Sequence, residues 1–509
     1  MKRKAVARLA LAAFALAFGS PARLSGQTSG GIDSMRLRAH TWFLSHDLLE
    51  GRGTGRRGAD VAALYVATEA ERIGLRGAGP AGSPYQPVPL VEAEIDRTNT
   101  SITLRVPDRD RSSAIVFPFF YPRGFIPNVG TARTLTGFSG DLVYVGSARD
   151  ILVHPDRLPD LTGKVAVMRG VFGPEAAAAD TLRAGGTTGV VQLLGDPELY
   201  GLYVRSRGPS RMYIAEEAQA VSSFIPDIPA VIASPQLEQR LLEGTDVAAE
   251  ADRPRVLPGR RIDVGIAVRA RAVAARNVAA IMPGSDSTQR DAFVVYTAHY
   301  DHLGVSTPDE RGDSIYNGFS DNASGTAMLL GIAEAMVTGR RPPRPVLFLW
   351  FTGEEHGLLG SDYFAAHPLL PAAEIVGAIN LDAGAPPAPV VSWHIAGGDR
   401  SSLGQLAVDV ARRAGWAAEV RPASPNSDYF PLLRIGVPAV FLVPSPGPYE
   451  GLTTEASDVL RRRWDHYHQA SDHWAASFPF AGLLRYADYA YRIGWALETG
   501  ARPRLFPSK

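Results

Sequence analysis

The chain has 509 residues, of which 45% are hydrophobic and 20% are charged, and its 52 basic side chains balance its 52 acidic ones. This composition is that of an ordinary globular protein, long enough for more than one domain with its own core. The formal net charge of +0 gives no reason to expect nucleic-acid binding, and the absence of cysteine excludes disulfide bonds.

The first residues have the pattern of a secretory signal peptide. Several basic residues precede an apolar run over residues 9–18, and a small-residue cleavage site follows, ending at Ala22. A membrane anchor is the alternative, but the apolar run is about half of the ~20 residues that a spanning helix needs. We therefore predict a signal peptide over residues 1–22, a periplasmic or secreted protein, and no stable membrane insertion after cleavage.

A glycine-rich stretch follows the first helix pattern. Gly53, Gly55 and Gly58 match the spacing of a dinucleotide-binding loop. That fingerprint requires a preceding strand, whereas a helix pattern over residues 34–49 precedes it here. We therefore interpret residues 50–58 as a loop.

The next elements complete the first part of a domain. Residues 59–73 have the amphipathic pattern of a helix, and apolar and polar positions alternate between residues 85 and 106 as they do in edge strands. We assign residues 33–130 to the N-terminal part of this domain and a connector.

The character of the sequence changes near residue 131. From there, short strand patterns separated by turns rich in glycine, proline and aspartate continue to about residue 272. The strand patterns cover residues 141–145, 164–168, 189–193 and 228–232, and helix patterns cover residues 174–184 and 236–242. We predict a mostly β module inserted over residues 131–272 into a domain whose main part covers residues 273–505.

Later strand patterns end at residues that can bind metal. They end just before His299, before the pair Glu354 and Glu355, and at Asp382, while Asp321 comes directly before a helix pattern. In open α/β sheets ligands bind beyond the carboxyl ends of the strands, so these side chains should lie together. Crowded carboxylates repel one another in a low dielectric, so the cluster indicates a metal site.

A further histidine, His468, lies in a polar loop before the last helix pattern. Together with His299, Asp321, Glu355 and Asp382 it makes a set of two imidazoles and three carboxylates. Such a set suits zinc, with cobalt or manganese as possible substitutes. If one carboxylate bridges two ions, Glu354 stays unligated beside Glu355 and can act as a general base on water held at the site. The residues therefore predict metal-assisted hydrolysis of an amide.

The site residues occur in motifs, which in chain order are His299-Tyr300-Asp301, Asp321-Asn322-Ala323-Ser324-Gly325, Gly353-Glu354-Glu355, Asn380-Leu381-Asp382 and Tyr467-His468. This series resembles metallopeptidase family twenty-eight, the co-catalytic dizinc aminopeptidases. The resemblance implies two zinc ions per chain. It implies that His299 and Asp382 hold one ion and that Glu355 and His468 hold the other. Asp321 would bridge the two ions.

The resemblance also implies roles for residues that do not bind metal. Glu354 is implied as the general acid/base, and Tyr467 as the residue that steadies the oxyanion. Asp301 would orient His299 from behind, and we place Asp472 in the same supporting position. The family motif near the substrate pocket corresponds to Ser427-Asp428-Tyr429.

The implied fold is zinc-peptidase-like, an α/β/α sandwich around a mixed, mainly parallel sheet. The resemblance covers roughly residues 45–90 and 275–497. The inserted module is similar to a mostly β protease-associated domain through two shorter motifs, Asp160-Leu161-Thr162-Gly163-Lys164-Val165 and Ala184-Gly185-Gly186-Thr187-Thr188-Gly189-Val190.

The implied function is that of a secreted aminopeptidase acting on peptide substrates. A carboxypeptidase or dipeptidase of the glutamate carboxypeptidase type and a non-catalytic binding protein on the same scaffold are the alternatives. The nearby histidines are interpreted as residues that surround the site or lie on the surface, and they are His302, His356, His466 and His473. The sequence leaves the side-chain specificity and the oligomeric state open.

Overall fold

The structure is a computed structural model that describes residues 31–108, 113–128, 135–172, 177–207, 210–215, 228–247 and 253–507. The predicted signal peptide therefore lies outside the described residues. Within these ranges, no helix combines the length and the apolar character needed to cross a membrane.

Helices and strands alternate along most of the chain. The helices are α1 (Ser34–Leu44), α2 (Arg57–Ile73), α3 (Ala148–Val153), α4 (Ala177–Ala184), α5 (Pro197–Arg207), α6 (Pro235–Leu242), α7 (Ser324–Thr338), α8 (Leu359–Ala366), α9 (Ser402–Arg413), α10 (Tyr429–Arg434), α11 (Thr454–Trp464) and α12 (Ala481–Thr499). The strands of the first half are β1 (Arg76–Gly77), β2 (Tyr85–Ile95), β3 (Ser101–Pro107), β4 (Ala114–Phe120), β5 (Phe125–Pro127), β6 (Phe138–Ser147), β7 (Val165–Arg169), β8 (Gly189–Leu193), β9 (Ser210–Ile214) and β10 (Ala230–Ala233). The later strands are β11 (Arg255–Gly265), β12 (Val268–Met282), β13 (Phe293–His299), β14 (Gly304–Val305), β15 (Ile315–Tyr316), β16 (Val346–Phe351), β17 (Ile375–Asn380), β18 (Ser392–Ala396), β19 (Ala417–Arg421) and β20 (Ala439–Pro444).

The larger sheet is mixed, with parallel strands at its centre. Its strand order is β19-β18-β20-β17-β13-β16-β12-β2-β9, and β1 pairs with β12 beside this path. The neighbours β20, β17, β13 and β16 are parallel, whereas β12, β2 and β9 continue the sheet in antiparallel pairing. The predicted α/β fold around a mixed sheet is confirmed.

Helices cover both faces of this sheet. Tyr296, Phe348 and Trp350 point into a core shared with α1, α2, α7 and α12, whereas Val295 and Leu349 point into a core shared with α8 and α10. Successive side chains of a strand face opposite sides of its sheet, so β13 and β16 need apolar side chains on both faces. This explains why β16 is a continuous apolar run and why β13 is apolar except at Thr297 and His299.

A second mixed sheet lies in the region of the predicted insertion. Its strand order is β4-β3-β11-β6-β7-β8-β10-β5, with parallel pairs from β6 to β10 and antiparallel pairs outside them. Strands β3, β4 and β5 belong to this sheet although they precede residue 131. Strand β9 instead pairs with β2 at the edge of the larger sheet. The two parts of the chain are therefore joined by strand pairing.

Candidate metal centre

The ends of parallel strands bring the predicted ligands together. Strand β13 ends at His299, which pairs with Phe351 at the end of β16, so the turn after β16 carries Glu354 and Glu355 to the same edge. Strand β17, which is also parallel to β13, ends two residues before Asp382. The structure therefore brings the side chains at these strand ends to one edge of the sheet, as the sequence predicts.

Asp321 lies between two imidazoles. Its Oδ1 is 3.2 Å from His299 Nε2, and its Oδ2 is 3.1 Å from His468 Nε2. His299 Nε2 is also 2.8 Å from Asp382 Oδ1, and His468 Nε2 is 3.0 Å from Glu355 Oε2. The two oxygens of one carboxylate therefore face two different imidazole–carboxylate pairs, and the five predicted ligands form one cluster.

His302 also belongs to this cluster, although the sequence interpretation set it aside. It is fully buried, and its Nδ1 is 2.5 Å from Glu355 Oε1 and 3.8 Å from Asp321 Oδ2. Among the described residues, the groups that could hold a metal ion are His299 with Asp321 and Asp382, and His302 with Asp321 and Glu355. The sequence signal for including His302 is its position three residues after His299, in the loop that follows β13.

A sharp turn presents Glu354 to the cluster. Gly353 precedes it with φ 69°, and a Cβ there would lie 3.1 Å from Leu359 Cβ, so glycine lets the chain leave β16 abruptly. Glu354 Oε2 is 3.9 Å from His299 Nε2, and its side chain is 14% exposed. The carboxylate of Glu354 is thus beside the predicted ligands and only partly exposed to solvent.

Asp301 and Asp472 support the cluster from behind. The backbone oxygen of Asp301 is 3.2 Å from His299 Nδ1, and its Oδ1 is 3.7 Å from the same atom. The carboxylate of Asp301 accepts a hydrogen bond from the backbone N–H of Glu354 at 3.3 Å. Asp472 accepts from the backbone N–H groups of Ser320 and Asp321 at 3.0 to 3.2 Å, so it holds the turn that carries Asp321.

The motif predicted to line a substrate pocket is buried. Ser427, Asp428 and Tyr429 are each 0% exposed. The hydroxyl of Ser427 donates to Asp382 and accepts from Asn380 Nδ2 at 2.6 Å. Asp428 accepts from the Ser361 hydroxyl at 2.5 Å, and the Tyr429 hydroxyl donates to the backbone oxygen of Ser424 at 2.7 Å. These side chains bond protein groups behind the ligands and do not line an open surface.

Tyr467 lies at the mouth of the cluster. Its ring stacks on that of His468 with centroids 3.8 Å apart and an angle of 16° between the planes. Tyr467 is 65% exposed, and His468 has φ 54°, a left-handed conformation that is uncommon for a non-glycine residue. The backbone at His468 therefore turns its ring inwards and leaves the Tyr467 ring above it.

The charges of the cluster match a site for divalent cations. Burial raises the pKa of Asp321 and Glu355, but the adjoining imidazoles outweigh it, so the pKa of Asp321 falls well below its usual value and that of Glu355 to about 2. Burial lowers the pKa of the imidazoles, yet the carboxylates raise that of His468 to about 10 and that of His299 well above its usual value. Burial raises the pKa of Glu354 well above its usual value. The negative potential that raises the imidazole pKa values is one that a divalent cation would neutralise, and imidazole with carboxylate is a donor set that suits zinc.

The family model of Peptidase family M28 matches residues 277–491. Two curated relatives named "Probable zinc metalloprotease", from Pyrenophora teres f. teres and Pyricularia oryzae, are 32% and 31% identical over 105 and 106 residues. Each alignment covers 21% of this chain and 22% or 20% of the relative, so the chain spans about a fifth of the length of the curated relatives it matches.

Among solved structures, the chain is similar to the aminopeptidase from Aneurinibacillus sp. strain AM-1, with a TM-score of 0.55 and 17% sequence identity. The superposition covers 95% of this chain and 98% of that one. At this identity the likeness shows a common fold, which includes both sheets of the chain.

Proposed function

The chain belongs to peptidase family M28, which it matches over residues 277–491, and on this premise we propose that it is a zinc-dependent aminopeptidase that hydrolyses the N-terminal peptide bond of peptides. One observation carries the proposal. The two oxygens of Asp321 face His299 and His468 separately, at 3.2 and 3.1 Å. A carboxylate shared in this way fits a centre for two divalent ions.

These contacts support the ligand assignment that the resemblance implies. His299 and Asp382 would hold one zinc ion, Glu355 and His468 would hold the second, and Asp321 would bridge them. Bound zinc would supply a Lewis acid for the scissile carbonyl group and would lower the pKa of a water molecule.

The remaining steps would fall to the chain's own side chains. Glu354 Oε2 would accept a proton from the attacking water and return it to the leaving amine. The hydroxyl of Tyr467 would donate a hydrogen bond to the carbonyl oxygen as negative charge develops there. Asp301 and Asp472 would keep the ligands in place while the proton moves.

We also propose that the protein acts in the periplasm or outside the cell, because residues 1–22 have the pattern of a signal peptide. The second sheet would correspond to a protease-associated domain, as its two short motifs indicate. A carboxypeptidase or dipeptidase is the competing activity for the same centre.

Replacement of Glu354 by glutamine tests the role of the base. Glu354→Gln keeps the shape of the side chain but cannot accept the proton, so we expect kcat to fall by about 10²–10⁴. Zinc content, measured on the same preparation by elemental analysis, should stay at two ions per chain. Glu71→Gln, at an exposed position of α2, is the matched control and should keep full activity.

The choice of substrates tests the aminopeptidase assignment. We expect hydrolysis of aminoacyl amides with a free amine, little hydrolysis of their N-acetylated forms, and loss of both zinc and activity after chelation. Preference for N-blocked peptides would favour the carboxypeptidase alternative. Unchanged turnover in Glu354→Gln would contradict its role as the base.

A further inference from the structure

The glycine-rich loop lies against the candidate metal centre, although it precedes the part of the chain that matches the family. In the structure it ends at residue 56, because α2 begins at Arg57, two residues earlier than the sequence predicts. The backbone N–H of His302 donates to the backbone oxygen of Arg52 at 3.2 Å, and Gly53 forms a parallel bridge with His302. Gly51 has φ 65°, and a Cβ there would lie 2.6 Å from the backbone oxygen of Gly304. The loop therefore packs directly on the segment that follows His299.

Arg52 anchors this loop through backbone groups. The residue is 0% exposed and has φ 51°. Its guanidinium donates to backbone oxygens on several segments, which are those of Tyr300 at 2.7 Å, Leu44 at 2.5 Å, Asn317 at 2.5 Å, Gly318 at 2.8 Å and Asp321 at 3.5 Å. A guanidinium has five N–H donors, and here each donor has a carbonyl acceptor. One side chain thus fixes the loop, the segment after β13 and the turn that carries Asp321.

The anchored loop presents one hydroxyl to the centre. Thr54 is 2% exposed, and its Oγ1 donates to Asp301 Oδ2 at 2.7 Å. The other carboxylate oxygen of Asp301 accepts from the backbone N–H of Glu354 and faces His299 Nδ1 at 3.7 Å. Thr54 therefore restrains the carboxylate that lies between the predicted ligand His299 and the proposed base.

We propose that Thr54 is a positioning residue of the metal centre, held in place by the bonds of Arg52 to backbone carbonyls. Thr54 acts through Asp301, to which it donates its hydrogen bond. The proposal rests on the proposed function, since it concerns the same centre. The proposal places a residue from outside residues 277–491 among those that support the metal centre.

The hydroxyl is the group to remove. Thr54→Val keeps the shape of the side chain but leaves Asp301 Oδ2 without this donor, whereas Thr54→Ser keeps the donor. Loss of a residue that directly supports a metal ligand lowers metal affinity or activity by about 10–100-fold, and Thr54 acts one contact further out, through Asp301. We therefore expect Thr54→Val to weaken zinc binding by about 10-fold, at the lower end of this range, and to lower kcat with little change in KM. Thr54→Ser should return both values to within about threefold of the wild type.

Zinc affinity is measured on the full chain by competition with a chelating indicator, which requires no substrate. Thr100→Val is the matched control, because Thr100 is also buried and its hydroxyl accepts a hydrogen bond from the backbone N–H of Ala267 at 3.1 Å, beside the second sheet. Its zinc affinity should equal that of the wild type. An equal loss in Thr100→Val, or no recovery in Thr54→Ser, would overturn the proposal.

Arg52→Lys tests the anchor. A lysine has its donors on one nitrogen and cannot reach carbonyls on several segments, so we expect the same loss of zinc affinity together with a lower melting temperature. Wild-type zinc affinity in Arg52→Lys would overturn the role of the anchor, and wild-type values in Thr54→Val would overturn the positioning role while leaving the aminopeptidase proposal intact. A wild-type protein that binds no zinc would overturn both.

Discussion

Glu498 provides a quantitative test of the structure through the pH dependence of stability. This residue of α12 is 1% exposed, and its Oε2 accepts a hydrogen bond from the backbone N–H of Arg344 at 2.8 Å. Among the described residues, its Oε1 has no hydrogen-bond partner. The guanidinium of Arg344 donates instead to the backbone oxygens of Leu497 and Gly500. Burial therefore raises the pKa of Glu498 to about 8.

The raised pKa of Glu498 determines the direction and the size of the change in stability with pH. The folded state holds this proton more tightly than the unfolded chain, so stability falls as the pH rises from about 4.5 to about 8. At about 1.4 kcal/mol per pH unit, the whole rise in pKa corresponds to about 5 kcal/mol. Between pH 5 and pH 7 the loss in the free energy of unfolding is about 3 kcal/mol.

Glu498→Gln removes the titrating group and keeps the shape of the side chain. Urea unfolding, followed by tryptophan fluorescence at pH 5, 6, 7 and 8, gives the free energy of unfolding for both proteins at one zinc concentration. We expect the variant to gain about 3 kcal/mol relative to the wild type between pH 5 and pH 7. The exposed Glu455→Gln is the control and should show no such gain. A pH-independent difference for Glu498→Gln would refute the reasoning.

Further predictions concern the groups behind the ligands. Ser427→Ala removes the donor to Asp382 and the acceptor of Asn380, so zinc affinity should fall about 10-fold and the free energy of unfolding by about 1–3 kcal/mol. A zinc titration and a urea titration measure these changes, and wild-type values in both would contradict the contact. Asp472→Asn leaves one oxygen to accept the N–H groups of the turn that carries Asp321, so zinc affinity should fall about 10-fold, whereas unchanged affinity would exclude Asp472 as its support.

The strand-end residues were predictable because two strong rules act together. The runs that became β13, β16 and β17 are apolar at nearly every position, since helices cover both faces of the sheet. Ligands of an open α/β sheet lie beyond the carboxyl ends of its strands, so His299 and Asp382 could be brought together without any knowledge of the loops.

Contacts made by loops were not predictable in the same way. Thr54 meets Asp301 across 247 positions of the chain, and no periodic pattern links the two residues. The sequence does not distinguish His302 from the other histidines near the ligands, because the direction of its side chain depends on the fold of the loop around it. The motif at Ser427 indicates that this segment lies near the site, but it does not indicate on which side of the ligands. In the structure Ser427 lies behind Asp382.

The hydrogen-bond donors that orient the carboxylates around the centre carry no charge. Neutral donors hold the carboxylates in place: hydroxyl groups bond Asp382 and Asp301, and backbone N–H groups bond Asp472. A guanidinium in those positions would offset the negative charge that binds a cation. Arg52, which is fully buried beside the centre, directs its donors to carbonyl oxygens instead. The carboxylates are thereby oriented while their charge stays available for metal ions.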